Sequence, residues 1–404
     1  MLRGKTLPSG SSKYILYLSN LLLYGFTGLY YCFVSLYVNQ IHSYSTAGII
    51  LAIPQGIAIF APLFWGMCAD RARYKKSVLL IMMLGVTICY TTVPISDSFW
   101  WLAIALAFTM FFLSALGSVL DVIGMEVANA EGIKYGPMRL MGMFGYAFVA
   151  FGLSFFIGDN LDVVFYVCAV LGLICCVCIG FMPGVKGYAN AKNQISSIGD
   201  DRQSKPKFTT LLKDKTLLVL IIVLATAQFA YGYYLNFFPT YLTKELNAPS
   251  WLWGTNVLIT TFSEAPFYIY FDSLFKRFGM KKIVPVVLGL TAIRYLLLAL
   301  FTGIVWILAI ALFTGMLSVA LLYSVQFFVN KNINPSLRAQ AQTLVYAVGV
   351  GVPRMLAGVI GGVMTDAIGT NFSLMICSAV AIVGLIVAVL FIVPSKIDKT
   401  IKTN

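Results

Sequence analysis

Charge is scarce in this chain. Asp, Glu, Lys and Arg make up 11% of its 404 residues, against roughly 25% in a soluble globular domain, and there is one histidine, His42. The first shortage excludes an ordinary water-facing surface; the second excludes an imidazole relay inside the fold. His42 falls in a polar connection between apolar stretches and reads as a loop residue. Eight cysteines, Cys32, Cys68, Cys89, Cys168, Cys175, Cys176, Cys178 and Cys377, lie within or at the ends of apolar stretches. They lack the paired spacing of a disulfide framework. The cluster at Cys175, Cys176 and Cys178 has no nearby His or carboxylate to complete a metal set. The expectation is therefore no metal, no cofactor and, with no nucleophile set or phosphate loop in the chain, no enzyme.

What the chain has in abundance is hydrocarbon: 60% of it is hydrophobic. Runs such as 14–38, 79–93, 217–230 and 374–393 match the ~20 residues a helix needs to cross a bilayer core. No alternation of the kind that marks a barrel strand is present. The pattern predicts an all-α integral membrane protein with twelve transmembrane helices near 14–39, 45–68, 77–96, 99–128, 138–157, 162–182, 216–243, 250–274, 283–303, 305–330, 339–364 and 372–394. The first run is too long for a secretory signal and is expected to remain in the mature chain.

Twelve spans put both termini on one side. Of the 28 Lys and Arg, 24 fall in the tails and even-numbered loops, Lys244 alone falls in an odd-numbered loop, and Arg139, Arg294 and Arg354 fall inside spans. The excess of basic residues marks the cytoplasmic side, so both termini are expected there, in a multi-pass protein of the cell membrane. The formal net charge of +13 is explained by topology, and no nucleic-acid partner is implied. A monomer is expected.

The longest polar stretch, from Lys186 to Lys215, carries seven basic residues and no apolar period. It divides the chain into an N-terminal six-helix half at 1–182, a cytoplasmic linker at 183–215 and a C-terminal six-helix half at 216–404. A faint repeat supports the division: Asp70-Arg71-Ala72-Arg73-Tyr74-Lys75-Lys76 follows the second span, and Lys276-Arg277-Phe278-Gly279-Met280-Lys281-Lys282 follows the eighth. Repeated six-span halves characterise secondary transporters.

Gly66-x-x-x-Asp70-Arg71 followed by basic residues resembles the loop signature of the major facilitator superfamily, although Arg73 stands where that pattern has Gly. The resemblance implies a gating loop built on Gly66, Asp70 and Arg71. A second stretch, Tyr135-Gly136-Pro137-Met138-Arg139-Leu140-Met141-Gly142-Met143-Phe144-Gly145-Tyr146, resembles the entry to helix five in the lactose permease and phenylpropionate permease group. There an Arg pairs with an acidic residue on helix four, which implies Arg139 with Asp121, and an aromatic beyond the Arg stacks on sugar, which implies Tyr146. Glu264, within Thr260-Thr261-Phe262-Ser263-Glu264, and Arg294, within Ala292-Ile293-Arg294, match positions tied to sugar and proton binding in the same permease. Other parts of that coupling apparatus are missing: Met316, Val319 and Phe313 stand where it has His, Glu and Lys, and its two helix-seven acids fall on Gln228 and Tyr231.

The mid-span charges carry the argument without the family. An ionised residue at mid-bilayer costs at least about 2.5 to 3.5 kcal/mol, so it usually faces a water-filled cavity or an opposite charge. A carboxyl there is raised in pKa by desolvation and lowered by a nearby Arg, so a change of access can load and unload a proton. Asp121, Glu264 and Arg294 are the candidate proton-coupling residues. The candidate solute-binding residues are Arg139, Tyr146, Glu264, Asp121, Arg354, Gln228, Asn236 and Tyr231, with Tyr24, Tyr30, Tyr323, Gln326 and Tyr346 as further polar or aromatic lining. Three mid-span arginines face two mid-span carboxylates, since Glu126 and Asp272 fall near span ends. That surplus suits an anionic solute held by Arg354 or Arg139. The expected function is proton-coupled import of a sugar or oligosaccharide by alternating access. Uptake of an organic acid or nucleoside, and proton-driven efflux of amphipathic compounds, remain as alternatives.

Overall fold

The computed structural model describes residues 11–132, 134–157, 160–187, 208–334 and 337–391. The expected linker lies largely outside these residues, as do both terminal tails and the side chain of Asp272. Nearly everything described is helix. The elements are α1 (Ser11–Ile41), α2 (Tyr44–Arg71), α3 (Lys75–Thr91), α4 (Phe99–Leu113), α5 (Leu116–Glu131), α6 (Gly136–Ser154), α7 (Asp162–Phe181), α8 (Lys215–Thr240), α9 (Trp251–Phe278), α10 (Met280–Leu300), α11 (Ile304–Asn332), α12 (Arg338–Tyr346) and α13 (Val352–Phe391).

Among the described residues, nine helical segments are long and apolar enough to cross a membrane. The difference from the expected twelve has a physical origin. The segment Gln340–Phe391 takes in both of the last two expected spans, joined through a kink at Gly369, where φ is 80°. The two remaining expected spans are α6 and α9. These are the helices that carry Arg139 and Glu264, and they are rich in Gly, Ser and Thr, so their mean hydropathy drops. The fourth expected span is broken at Ser114 and Ala115 into α4 and α5, and the Phe111 carbonyl beside the break accepts from Trp65 Nε1 at 2.8 Å.

The chain forms two compact units, one of 1–41 with 53–200 and the other of 42–52 with 201–404. The N-terminal end of α2 therefore belongs to the second unit. It is held there by Asp366, whose carboxylate accepts from the backbone N–H of Tyr44 at 3.2 Å and of Ser45 at 2.7 Å, satisfying two of the amides that every helix start leaves without a partner.

In the first unit, α1 packs on α6 and α7, and α3 on α4 and α7. The α1 and α6 backbones meet closely: a Cβ at Gly145 would lie 2.0 Å from the Leu21 carbonyl oxygen, so only glycine permits the approach. In the second unit, α13 packs against α8 and α10, and α9 against α11. Its core joins Leu217, Leu220, Leu224, Leu288, Leu321 and Val325, all buried. The opposite helix faces are apolar and exposed. Val170, Leu173, Ile174 and Val177 on α7 follow the helical period, which is the arrangement expected where the solvent is lipid.

Candidate functional site

The first unit carries a charged cluster assembled from three helices. Arg139, in the first turn of α6, places Nη1 3.0 Å from one oxygen of Asp121 on α5 and 3.3 Å from the other. It also donates to the Tyr24 hydroxyl of α1, and its guanidinium lies 4.9 Å from the Tyr24 ring centroid. Tyr24 in turn donates to Asp121 at 3.4 Å. Tyr135, just before α6, adds a further contact: burial first, and then a hydrogen bond to Asp121, push its phenol above its ordinary pKa. A cation at a helix start faces the positive end of the helix dipole, and Asp121 offsets that. The Asp121 side chain is 21% exposed and that of Arg139 49%.

Two glycines seat the Tyr24 ring. A Cβ at Gly142 would lie 2.7 Å from Tyr24 Cδ2, and one at Gly117 would lie 2.9 Å from its hydroxyl. The sequence reading placed Tyr24 among the lining residues without its role; the glycines one helical turn from Arg139 and Asp121 were the available signal. Tyr146, one turn beyond Gly142 on the same helix, is half-buried.

The second unit carries a ladder of cations and rings. Arg354, in the first turn of α13, donates from Nε to Gln228 Oε1 of α8 at 2.9 Å. Its guanidinium stands 5.2 Å from the Tyr231 ring. Tyr231 stacks on Tyr234 with centroids 6.2 Å apart, and Arg294 of α10 lies 4.5 Å from the rings of both Tyr234 and Tyr295. The Tyr234 hydroxyl donates to Asn256 Oδ1 at 2.6 Å. A π-helical stretch, Ala347–Gly351, precedes Pro353 and Arg354; such local bulges in a helix frequently mark functional positions. Neither Tyr234 nor Tyr295 was singled out from the sequence, because in a chain with 22 tyrosines a ring beside an arginine carries little information.

Asn236 is buried on α8. Glu264 is half-buried on α9, with its Cγ against Gly315 of α11, where a Cβ would lie 2.8 Å away. At the end of the first unit, Asp70 and Arg71 close the last turn of α2 and are exposed, while Gly66 has open space around its Cα, so packing does not require glycine there. The connection after α7 lies over this loop. The Lys75 amide donates to the Val185 carbonyl at 2.8 Å, and Lys76 Nζ donates to the carbonyls of Gly180 at 3.3 Å and Met182 at 2.9 Å. Lys75 itself is 1% exposed and pairs with Glu126 of α5 at 2.5 Å.

This arrangement of apolar helices enclosing isolated charges agrees with what the chain is similar to. The chain is 24% identical over 347 residues to the uncharacterized transporter YwbF of Bacillus subtilis (strain 168), covering 84% of this chain and 83% of that one. It is 23% identical over 368 residues to a maltose permease of Geobacillus stearothermophilus, covering 90% of each. The crystal structure of the nucleoside transporter NupG superposes with a TM-score of 0.80 at 17% identity, covering 93% of this chain and 98% of that one, which establishes the fold. A family model described as the MFS_1 like family matches residues 14–376, and the chain belongs to that family of membrane transporters.

Proposed function

We propose that the protein is a proton-coupled importer of a neutral, ring-bearing polyhydroxyl solute, a sugar or oligosaccharide before a nucleoside, working by alternating access. The observation that carries this reading is the Asp121–Arg139 pair completed by the Tyr24 hydroxyl. A polyhydroxyl solute offers the same donors and acceptors as that phenol and can take its place between carboxylate and guanidinium. Asp121 and Glu264 are the proposed proton carriers, since each is a carboxyl within a membrane-spanning run whose protonation changes with access and with a nearby Arg, and Arg294 is the proposed modulator. Tyr146 and Tyr231 are proposed to stack on solute rings, with Gln228 and Asn236 supplying hydrogen bonds. The similarity to a maltose permease and to a nucleoside transporter supports a polyhydroxyl solute.

The proposed topology keeps twelve spans, counting α6 and α9 and dividing the last segment at Gly369. Both termini and the linker at 183–215 are cytoplasmic in this reading, and Gly66, Asp70 and Arg71 form the gating loop.

A second reading, import of an organic acid, is favoured by one observation: the hydrogen-bond partner of Arg354 is the neutral Gln228, so its charge is available to a carboxylate. Uptake into proteoliposomes driven by an imposed pH gradient separates the two. A disaccharide, a nucleoside and an aromatic carboxylate are supplied in parallel to the wild-type chain and to Glu264→Gln and Asp121→Asn. Gradient-driven uptake of the neutral solutes, lost in Glu264→Gln, is the expected result. Uptake of the carboxylate alone would replace the first reading by the second, and flux indifferent to the gradient would remove proton coupling.

A further inference from the structure

The second unit contains a cavity of about 20 Å³ lined by Gln228, Tyr231, Thr291, Arg294, Tyr295 and Ser318 with apolar neighbours. Its polar atoms are unevenly matched. Arg294 is 4% exposed, and its Nε and Nη2 have no hydrogen-bond partner among the described residues; neither has the buried hydroxyl of Tyr295. The rings of Tyr234 and Tyr295 each lie 4.5 Å from the guanidinium and supply it with no negative charge. The hydroxyls of Thr291 and Ser318 donate to carbonyls of their own helices, at 2.7 Å to Val287 and 2.9 Å to Gly315. The Gln228 carbonyl oxygen is taken by Arg354. No carboxylate is among the described residues that line the cavity.

A buried cation without a carboxylate is a costly arrangement, and three buried donor atoms on neighbouring residues without a partner at hydrogen-bond geometry define what would relieve it. We infer that this cavity is a binding site for a monatomic anion, chloride under physiological conditions. Size excludes the larger candidates: the space suits one or two waters, too little for a sugar or an organic carboxylate. Water satisfies the donors but leaves the charge uncompensated. A halide accepts from Arg294 Nε, Arg294 Nη2 and the Tyr295 hydroxyl, and neutralises the guanidinium. Arg354, 5.2 Å from the ring of the lining residue Tyr231, adds a second positive charge to the local field. The cavity shares Gln228, Tyr231 and Arg294 with the proposed solute and proton chemistry, but halide binding is read without measuring transport.

The test is the thermal unfolding midpoint of the purified full-length protein in detergent, titrated with sodium chloride, sodium bromide or sodium gluconate at constant ionic strength. Chloride and bromide are expected to raise the midpoint saturably and gluconate is not. Tyr295→Phe removes one donor and keeps the ring, and should raise the half-saturating halide concentration roughly tenfold. Arg294→Gln should abolish the saturable response. Anomalous scattering from bromide-soaked crystals should place the ion between Arg294 and Tyr295. A response to gluconate equal to that for chloride, a halide response unchanged in Tyr295→Phe, or bromide located elsewhere would overturn the assignment. If Arg294→Gln does not fold, Tyr295→Phe and the bromide position decide.

Discussion

A double-mutant cycle on Asp121 and Arg139 is expected to show a coupling with an unequal split. At 3.0 Å and an effective dielectric constant near 20, the Coulomb attraction between unit charges is about 5 kcal/mol. Arg139 is 49% exposed, so screening reduces the net coupling to roughly 2 kcal/mol. The two single changes then differ because burial differs. Arg139→Gln leaves a carboxylate that is only 21% exposed without its cation and should destabilise the fold by about 2 to 3 kcal/mol. Asp121→Asn leaves a half-exposed guanidinium that retains Tyr24 and should cost about 1 kcal/mol. The double variant should lie well below the sum of the two. The stability of each purified variant is followed by the fraction that remains folded after heating, and gradient-driven uptake is measured alongside. A coupling under about 0.5 kcal/mol, or a larger loss in Asp121→Asn than in Arg139→Gln, would refute the argument from burial.

The Tyr24 seat makes a steric prediction: in Gly142→Ala the new Cβ sits 2.7 Å from the ring, so stability should fall by about 1 to 3 kcal/mol and uptake with it, and Tyr24→Leu in the same chain should restore much of the stability; equal thermal midpoints for wild type and Gly142→Ala would contradict it. Glu126→Gln removes the carboxylate facing the buried Lys75 and should destabilise by about 3 kcal/mol, whereas Lys75→Met with Glu126→Gln should come within about 1 kcal/mol of wild type, as thermal midpoints of the three proteins will show. Arg354→Gln should leave uptake of neutral sugars within about threefold of wild type if the polyhydroxyl reading is right, and abolish carboxylate uptake if the second reading is; a competition assay with both solutes separates these outcomes.

Membrane residence was legible in the sequence because it depends on local quantities. Hydropathy over about 20 residues and the sparsity of charge decide whether a segment can replace water by lipid, and no long-range contact alters that for a run such as α7. Arg139, Asp121, Glu264, Arg294 and Arg354 could be singled out for the same reason, since a charge inside an apolar run is conspicuous wherever the chain later takes it. The resemblance implied the pairing of Asp121 with Arg139, which the structure shows; the other partners were not legible. Tyr24 reaches the Asp121–Arg139 pair because Gly145 lets α1 and α6 approach and Gly142 leaves room for its ring. Arg354 finds Gln228, 126 residues away, and Lys75 finds Glu126 across α3 and α5. Arg294 is enclosed by two rings whose sequence neighbourhoods look like any other aromatic stretch. The assignment of 42–52 to the second unit likewise follows from Asp366 capping α2, a contact across 322 positions. Composition and periodicity determine which segments enter the bilayer and which residues are expensive there. Which donor answers which acceptor is decided by helix packing, whose distances depend on residues far apart in the chain.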